Sequence, residues 1–381
     1  MPRGSLAPDK TGKAQVEPFR RPRAQVGSPW TEAAGPIMDQ NLIHLQVQVD
    51  PLEPRGGVLE LLRRLRPLWK PQEVQLKTFT EGLTNQLIGC FVGPLQDSGC
   101  VLVRIYGHMT ELYVNRKQEV EMFQLLHAHG CGPQIYCTFQ NGICYQFVPG
   151  TVLDEALVRQ PPVYRLIAAE MGKIHCIKAD SGPGEPFIWT KMSHLLSLLQ
   201  KSLSPAEQRR SSSLGTLAAE AETLERRLSA VRSPVVLCHN DLLIKNIIYN
   251  QSEGTVKFID YEYADYNHQA FDIGNHFNEF AGVEDIDYSQ YPGAELQRDW
   301  LTAYLESYKH GSGLEVQVTD AEVTRLYLQV CKFSLVSNFF WGLWAIFQSR
   351  HSSIRFDFQR YATARLGFYF EKKEEYLGMP L

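Results

Sequence analysis

Long apolar runs are missing from this chain. The longest, Phe339 to Phe347, has nine residues and includes Gly342, far short of the roughly 20 that a membrane-spanning helix needs. No leader is expected at the N-terminus, where proline and charge interrupt the chain before an apolar h-region forms. An excess of one charge is also lacking: 38 Lys and Arg stand against 42 Asp and Glu, a net −4. Neither nucleic acid nor an anionic membrane is therefore expected as a partner. Cysteine patterning is absent too. Cys90, Cys100, Cys131, Cys137, Cys144, Cys176, Cys238 and Cys331 form no CxxC and no Cys/His ligand spacing, and read as buried thiols of a reducing compartment. These absences predict a soluble, cytoplasmic protein without a membrane span. No GxGxxG is present, so a phosphate site has to rest on other residues.

What is present is a globular composition, 44% hydrophobic and 11% aromatic, in 381 residues, a length for which two lobes are the natural expectation. Residues 1–38 hold six prolines, several glycines and the basic Arg20, Arg21 and Arg23 without periodicity, and predict a disordered tail. An N-terminal lobe is expected over 39–149 and a helical C-terminal lobe over 150–381. The stretch 182–231, rich in Ser and charge, reads as an insertion with one exposed helix from Leu217 to Leu228.

Two acid-bearing loops carry the chemistry. His239-Asn240-Asp241 is followed five residues after the acid by Asn246, and then by the apolar run Ile247-Ile248-Tyr249. Val256 to Ile259 alternates as a strand and delivers Asp260 and Glu262 to its end. Asn250-Gln251-Ser252-Glu253-Gly254 supplies a turn, so the two strands predict a hairpin that brings both loops to one edge. A carboxylate, an amide five residues on and a second carboxylate from the neighbouring strand suit phosphoryl transfer: one acid orients the substrate hydroxyl, and the other two groups hold Mg²⁺. Asp241 and Asp260 as mere turn and cap residues is the alternative. Asp272 is expected to anchor the first loop, and His175 to be a packed core residue.

The N-terminal half is consistent with that chemistry. Gly57 to Leu65 spaces apolar residues as a helix ended by Pro67. Glu81-Gly82-Leu83-Thr84-Asn85 opens a strand pair, where Gly82 would let backbone amides approach a phosphate and Thr84 and Asn85 add donors. Arg104 is the single cation of the strand Val101 to Ile105, and Glu119 follows a helix start capped by Asn115. A strand cation and an acid of the next helix form the pair that fixes nucleotide phosphates in kinases, though an ordinary ion pair explains them equally well. Asn141-Gly142 between apolar runs predicts a hairpin. Gln146 to Gly150, with Val148 at its centre, reads as a hinge whose backbone could meet an adenine. The expected lobe is a five-stranded antiparallel sheet. Farther on, Trp341 and Trp344 lie at i, i+3, with Phe356 and Tyr361 beyond. Such stripes are usually core, yet aromatic rings and a nearby acid also hold an amine cation.

Taken together, HNDxxxxN, IDYEYxxYNxxxFDIGNHFxE and FFWGLWAI resemble the choline/ethanolamine kinase family, nearer its ethanolamine branch, over about residues 55–370. The resemblance implies an α+β, protein-kinase-like bilobal fold, ATP and Mg²⁺ as cofactors, and a phosphomonoester product that begins phosphatidylethanolamine synthesis. By position it implies Asp241 as catalytic base and substrate contact, and Asn246 and Asp260 as metal ligands supported by Glu262. It implies Gly82, Thr84, Asn85, Arg104, Glu119, Gln146 and Val148 at the nucleotide. Tyr263, Glu279, Trp341, Trp344, Phe356 and Tyr361 would border the amino-alcohol pocket. Relatives also suggest a homodimer.

Ethanolamine is the expected alcohol. A primary ammonium wants acceptors, a quaternary one a full aromatic cage, and Phe280-Ala281-Gly282-Val283 after Glu279 is less aromatic than the family's choline-specific pattern. The loop Leu242-Leu243-Ile244-Lys245 points the same way. Ile244, His268 and the EGLTN form of the phosphate loop depart from the familiar pattern. Choline kinase, an aminoglycoside-type or protein kinase, and a non-catalytic kinase-like binding module are the rivals.

Overall fold

The computed structural model describes residues 42–79, 85–95, 99–107, 110, 114–178, 184–203, 212–352 and 354–381; the tail expected over 1–38 lies outside them. The chain opens with β1 (Ile43–Leu45) and α1 (Pro54–Leu65), then β2 (Gln75–Phe79), β3 (Gln86–Phe91) and β4 (Val101–Ile105). After these come α2 (Arg116–Ala128), β5 (Ile135–Phe139) and β6 (Gly142–Gln146). The sheet order is β1-β5-β6-β4-β3-β2. Five of these strands are antiparallel as expected, but the sheet has six: β1 adds parallel to β5, with Ile43 opposite Cys137. Three residues are too few for an alternation to announce a strand.

Strand β4 sits centrally and is buried at every position. Its pleat sends Val101, Val103 and Ile105 into a core with Val58, Leu61 and Leu62 of α1, whereas Leu102 belongs to the other core. Arg104 alternates with the first set, so it shares the Leu102 face, away from α1. The β5–β6 turn is Asn-Gly, and a Cβ on Gly142 would collide with the Arg104 carbonyl, so the tight turn beside β4 needs glycine there.

The second half contains β7 (Thr151–Val152), α3 (Pro161–Ile174), α4 (Phe187–Ser202), α5 (Ser212–Leu228) and β8 (Val235–Cys238). Then come β9 (Ile247–Asn250), β10 (Thr255–Phe258), β11 (Asp265–His268), α6 (Gln269–Glu279), α7 (Ala294–Gly311), α8 (Asp320–His351) and α9 (Phe358–Gly378). The 182–231 stretch is a correction to the reading from composition. Phe187, Ile188, Met192, Leu195 and Leu199 of α4 are buried, and so are Ala221, Leu224 and Leu228 of α5. Their helical spacing, not the Ser content, decided the outcome.

Helix α8 packs against α4, α6, α7 and α9. Its apolar window is long enough to cross a bilayer but is 94% buried within the protein, which makes it a core helix. Thr319 and Glu322 cap its start reciprocally. Gly274 of α6 lets α8 approach closely, since a Cβ there would lie 2.8 Å from the Ser334 nitrogen.

Candidate active site

The predicted hairpin is present: β9 and β10 pair antiparallel with Thr255 opposite Asn250, and β7 adds to the β9 edge. The loop His239 to Asn246 runs from β8 into β9. Asp272, in the first turn of α6, holds its start: Oδ2 accepts the His239 N–H at 2.8 Å and Oδ1 the Asn240 N–H at 2.7 Å. His175 Nε2 lies 3.0 Å from Oδ2, and its Nδ1 is 2.6 Å from the Tyr304 hydroxyl. Both expectations, the anchoring acid and the core histidine, hold. Asn240 takes a left-handed φ of 66°, tolerable for Asn, and its amide is fixed by Tyr263 O at 2.9 Å and Asn267 Nδ2 at 2.8 Å.

The two loops are tied to each other. Ile259 N donates to the Asn246 carbonyl at 3.0 Å, and His239 Nε2 meets the Ile259 carbonyl at 2.9 Å. Asp260 follows at once with φ 64°, the second non-glycine residue in that region. Positive φ at two polar residues flanking one point marks strain concentrated at the loops that carry the acids. Asn246 Nδ2 donates to the Asp241 carbonyl at 3.0 Å, which leaves its Oδ1 as a hard oxygen for a cation. Asn246 Oδ1 and the Asp260 carboxylate thus form an oxygen donor set suited to Mg²⁺. Among the described residues His175, Cys238 and Asp272 form a group of three with closely clustered ligand atoms, but it is buried and its polar atoms serve the loop anchor.

Arg104 reaches this point from β4. It pairs with Glu119 of α2 and, through Nη1, with Asp260 Oδ1 at 2.5 Å. Arg116, one turn before Glu119, binds Glu119 at 2.9 Å and Glu262 at 3.2 Å and stacks over Tyr106 at 3.9 Å. Glu262 Oε2 also accepts from Asn85 Nδ2 at 3.0 Å. Glu262 is therefore a strut between the phosphate loop's last residue and the second acid loop. Gly82 and Thr84 lie outside the described residues. Gln146 Oε1 accepts the Gln134 N–H at 3.2 Å, while Phe147, beside Val148 in the expected hinge, donates to the Cys100 carbonyl at 3.4 Å.

On the other side of Asp241 an aromatic wall runs from Tyr263 through Trp341 and Trp344 to Phe358, with ring centres 5.3, 5.4 and 5.7 Å apart in turn. Phe356 and Tyr361 continue it at 4.9 and 5.8 Å. Trp341 is oriented by Asn275 Oδ1, which accepts its Nε1–H at 2.8 Å. Glu279, 2% exposed, sits at the end of α6 and pairs with Arg365.

The acids feel one another. Burial, then Glu279, Asp260 and Glu262, hold the Asp241 carboxyl well above the ordinary range, with Arg365 opposing. Desolvation and Glu262 push Asp260 up to about 6 against Arg104 and Arg116. The Asp260 side chain keeps 34% exposure, so water offsets part of that rise. Surface clefts of about 500 Å³ between α4 and α5 and about 610 Å³ beside the start of α8 contain none of these side chains; chemistry rather than size marks the site.

The chain that carries these carboxylates, the Arg104 ion pairs and the aromatic wall has a match among known sequences. The profile of the Choline/ethanolamine kinase family matches residues 76–370. This chain belongs to that family. Ethanolamine kinase 2 of Homo sapiens is 48% identical over 354 residues, covering 93% of this chain and 90% of the relative. Ethanolamine kinase 1 of Homo sapiens is 52% identical over 84% of this chain and 72% of its own length. Among solved structures, an ethanolamine kinase of Plasmodium vivax superposes with a TM-score of 0.70 at 27% identity, covering 81% and 85% of the two chains. The fold is the kinase-like one shared with choline kinases and aminoglycoside phosphotransferases, mixed in its first half and helical in its second.

Reading the family member's sequence alone missed four contributors. Arg116, Phe358, Asn275 and Arg365 each contact one of the expected site residues. Arg116 could have been found: it lies three residues before Glu119, on the same helix face.

Proposed function

We propose that this protein is an ethanolamine kinase, transferring the γ-phosphoryl group of ATP to the ethanolamine hydroxyl. The observation that carries the reading is that Asp241 lies within electrostatic reach both of Asp260 and Glu262, which Arg104 and Arg116 pair, and of Glu279, which Arg365 pairs. The nucleotide side has Arg104 and Glu119, and the alcohol side has the Trp341 and Trp344 wall. A base between them can meet a hydroxyl whose molecule also carries a cation.

Asp241 orients the hydroxyl and takes its proton as the oxygen bonds to phosphorus and the bond to the leaving ADP oxygen breaks. Mg²⁺ bound by Asn246 and Asp260 would offset charge on the phosphate oxygens. Gly82, Thr84, Asn85 and Arg104 would position those phosphates, with Glu119 holding Arg104 and Glu262 holding Asn85. The hinge at Gln146 and Val148 would face the base. On the alcohol side, Tyr263, Trp341, Trp344, Phe356 and Tyr361 would pack the ammonium while Glu279 supplies an acceptor. Ethanolamine is favoured over choline because a buried Glu279 oxygen stands without a donor, and a trimethylammonium has none to offer. The product would enter phosphatidylethanolamine synthesis in the cytoplasm.

Phosphate transfer from labelled ATP to ethanolamine, monomethylethanolamine and choline tests this. Activity is expected to fall in that order. Preference for choline would assign the choline kinase reaction instead, and no transfer to any of the three, with nucleotide still bound, would leave a binding module.

A further inference from the structure

Arg365 of α9 has no exposed surface, a state that arginine reaches only when its charge is answered. The answer comes from α6: Nη2 donates to Glu279 Oε1 at 2.5 Å. The guanidinium carbon lies 4.9 Å from the Tyr361 ring centre, and Nη1 reaches Asn338 Oδ1 at 3.4 Å. The pairing is incomplete at two atoms, because Arg365 Nε and Glu279 Oε2 are buried without a hydrogen-bond partner. Well-packed apolar residues often replace a buried ion pair without loss, so stability alone does not account for keeping one with an unmet carboxylate oxygen. The pair lies within electrostatic reach of Asp241, which Glu279 raises and Arg365 lowers.

We propose that Arg365 is a specificity-determining positioning residue: by gripping Glu279 through Oε1, it leaves Oε2 as a fixed, charged acceptor for one N–H of a primary ammonium. This rests on the reading of the site as an amino-alcohol pocket. The charge balance explains the device. Asp241 and Glu279 with Arg365 carry one net negative charge, which one ammonium completes. Without Arg365 two carboxylates would share an apolar site, and one would hold a proton. A trimethylammonium feels the charge of Oε2 but has no N–H to donate to it and rests mainly on the rings, so it is less sensitive to the loss.

The groups facing the pair are few. Tyr361 comes from α9, Tyr288 from the turn Tyr288–Gln290 and Asp241 from the loop after β8. Burial holds both tyrosines above their ordinary range, so they stay neutral near pH 7. Burial already raises Glu279 and Arg365 opposes it, so removing the arginine lifts it further.

The test is steady-state kinetics of the full chain from pH 6.5 to 8.5. Wild type should show an ethanolamine KM almost independent of pH. Arg365→Met should raise it at least tenfold at pH 7, and KM should climb about tenfold per pH unit below the new Glu279 pKa. The choline KM should move by less than threefold, and the KM for ATP should stay within twofold of wild type. Arg365→Lys, which keeps the charge, should recover the flat profile. In a Glu279→Gln background Arg365→Met should add nothing. If Arg365→Met alone fails to fold, the uncharged double variant carries the comparison: a KM matching Glu279→Gln supports the proposal, and a further tenfold rise overturns it. A flat, wild-type KM in Arg365→Met, or a pH-dependent one in Arg365→Lys, also overturns it. Wild type inactive on ethanolamine would sink the pocket reading itself, which is a different failure.

Discussion

Replacing Asp272 by Asn probes the loop anchor with almost no change of shape. In the wild type three donors converge on this carboxylate: His239 N and His175 Nε2 on Oδ2, and Asn240 N on Oδ1. The new amide has a single acceptor. If its oxygen took the Oδ1 place, two donors would be stranded, so the flipped rotamer is favoured and leaves the Asn240 N–H facing an NH₂. One buried N–H without a partner costs about 1–3 kcal/mol, and loss of the negative charge weakens the two remaining bonds by roughly 1 kcal/mol more. Destabilisation of about 2–4 kcal/mol is expected from urea unfolding at pH 7. The freed amide belongs to a residue at φ 66°, directly before Asp241. Turnover should therefore fall more than tenfold even where the variant is fully folded. The pH dependence has a definite sign. Burial opposes ionisation of Asp272, but the His175 hydrogen bond and the imidazoles of His175 and His239 outweigh it and hold its carboxyl below the ordinary value. Its contribution is fully present above the unfolded pKa and is lost as pH falls through the folded one, so the gap between wild type and variant should stay constant from pH 8 to 5 and narrow only below about pH 4. An unfolding free energy within 0.5 kcal/mol of wild type, roughly the scatter of a neutral surface change, together with unchanged turnover would refute the anchoring argument.

Asp241→Asn should retain nucleotide binding in a thermal-shift measurement and lose turnover by on the order of 10² or more; turnover near wild type would remove Asp241 from the reaction. The acid limb of kcat/KM should fall well above ordinary aspartate values, because Asp241 and Asp260 must both be ionised and both carboxyls are raised by burial and their acidic neighbours, Asp260 to about 6; a limb at ordinary aspartate values would contradict that origin.

Features written in adjacent residues were legible. The turn Asn250 to Gly254 between two short apolar runs and the Asn141-Gly142 hairpin each encode geometry locally, and each stands where expected. Strand β11 was not legible, since Asp265-Tyr266-Asn267-His268 is polar; it pairs antiparallel with β8, and Asn267 donates to the Asn240 side chain. Helices α4 and α5 were obscured by their Ser content, although Phe187, Met192, Leu195 and Leu199 keep a helical period. Arg365 was illegible for another reason. It lies on the buried stripe of α9, with Tyr361 and Ala362 one turn before it and Phe368 and Tyr369 one turn after, but its partner is 86 residues away, so nothing within the helix shows what answers its charge.

The distribution of charge explains why one site asks for two cations from outside. Five carboxylates, Glu119, Asp241, Asp260, Glu262 and Glu279, face three guanidinium groups, Arg104, Arg116 and Arg365. The arginines are not shared evenly. Arg104 and Arg116 serve Glu119, Asp260 and Glu262, whereas Arg365 serves Glu279, and Asp241 lies between the groups with no arginine within hydrogen-bond reach among the described residues. Each half is short by about one positive charge. Burial first, and then neighbouring carboxylates that the arginines only partly offset, hold the carboxyls of Asp241 and Asp260 up. Mg²⁺ on the Arg104 side and an ammonium on the Glu279 side would supply the missing charge, and both cations would lower the pKa of the base they flank. Asp241 would then be ionised most fully when both substrates are in place, which couples the readiness of the base to the occupancy of the site.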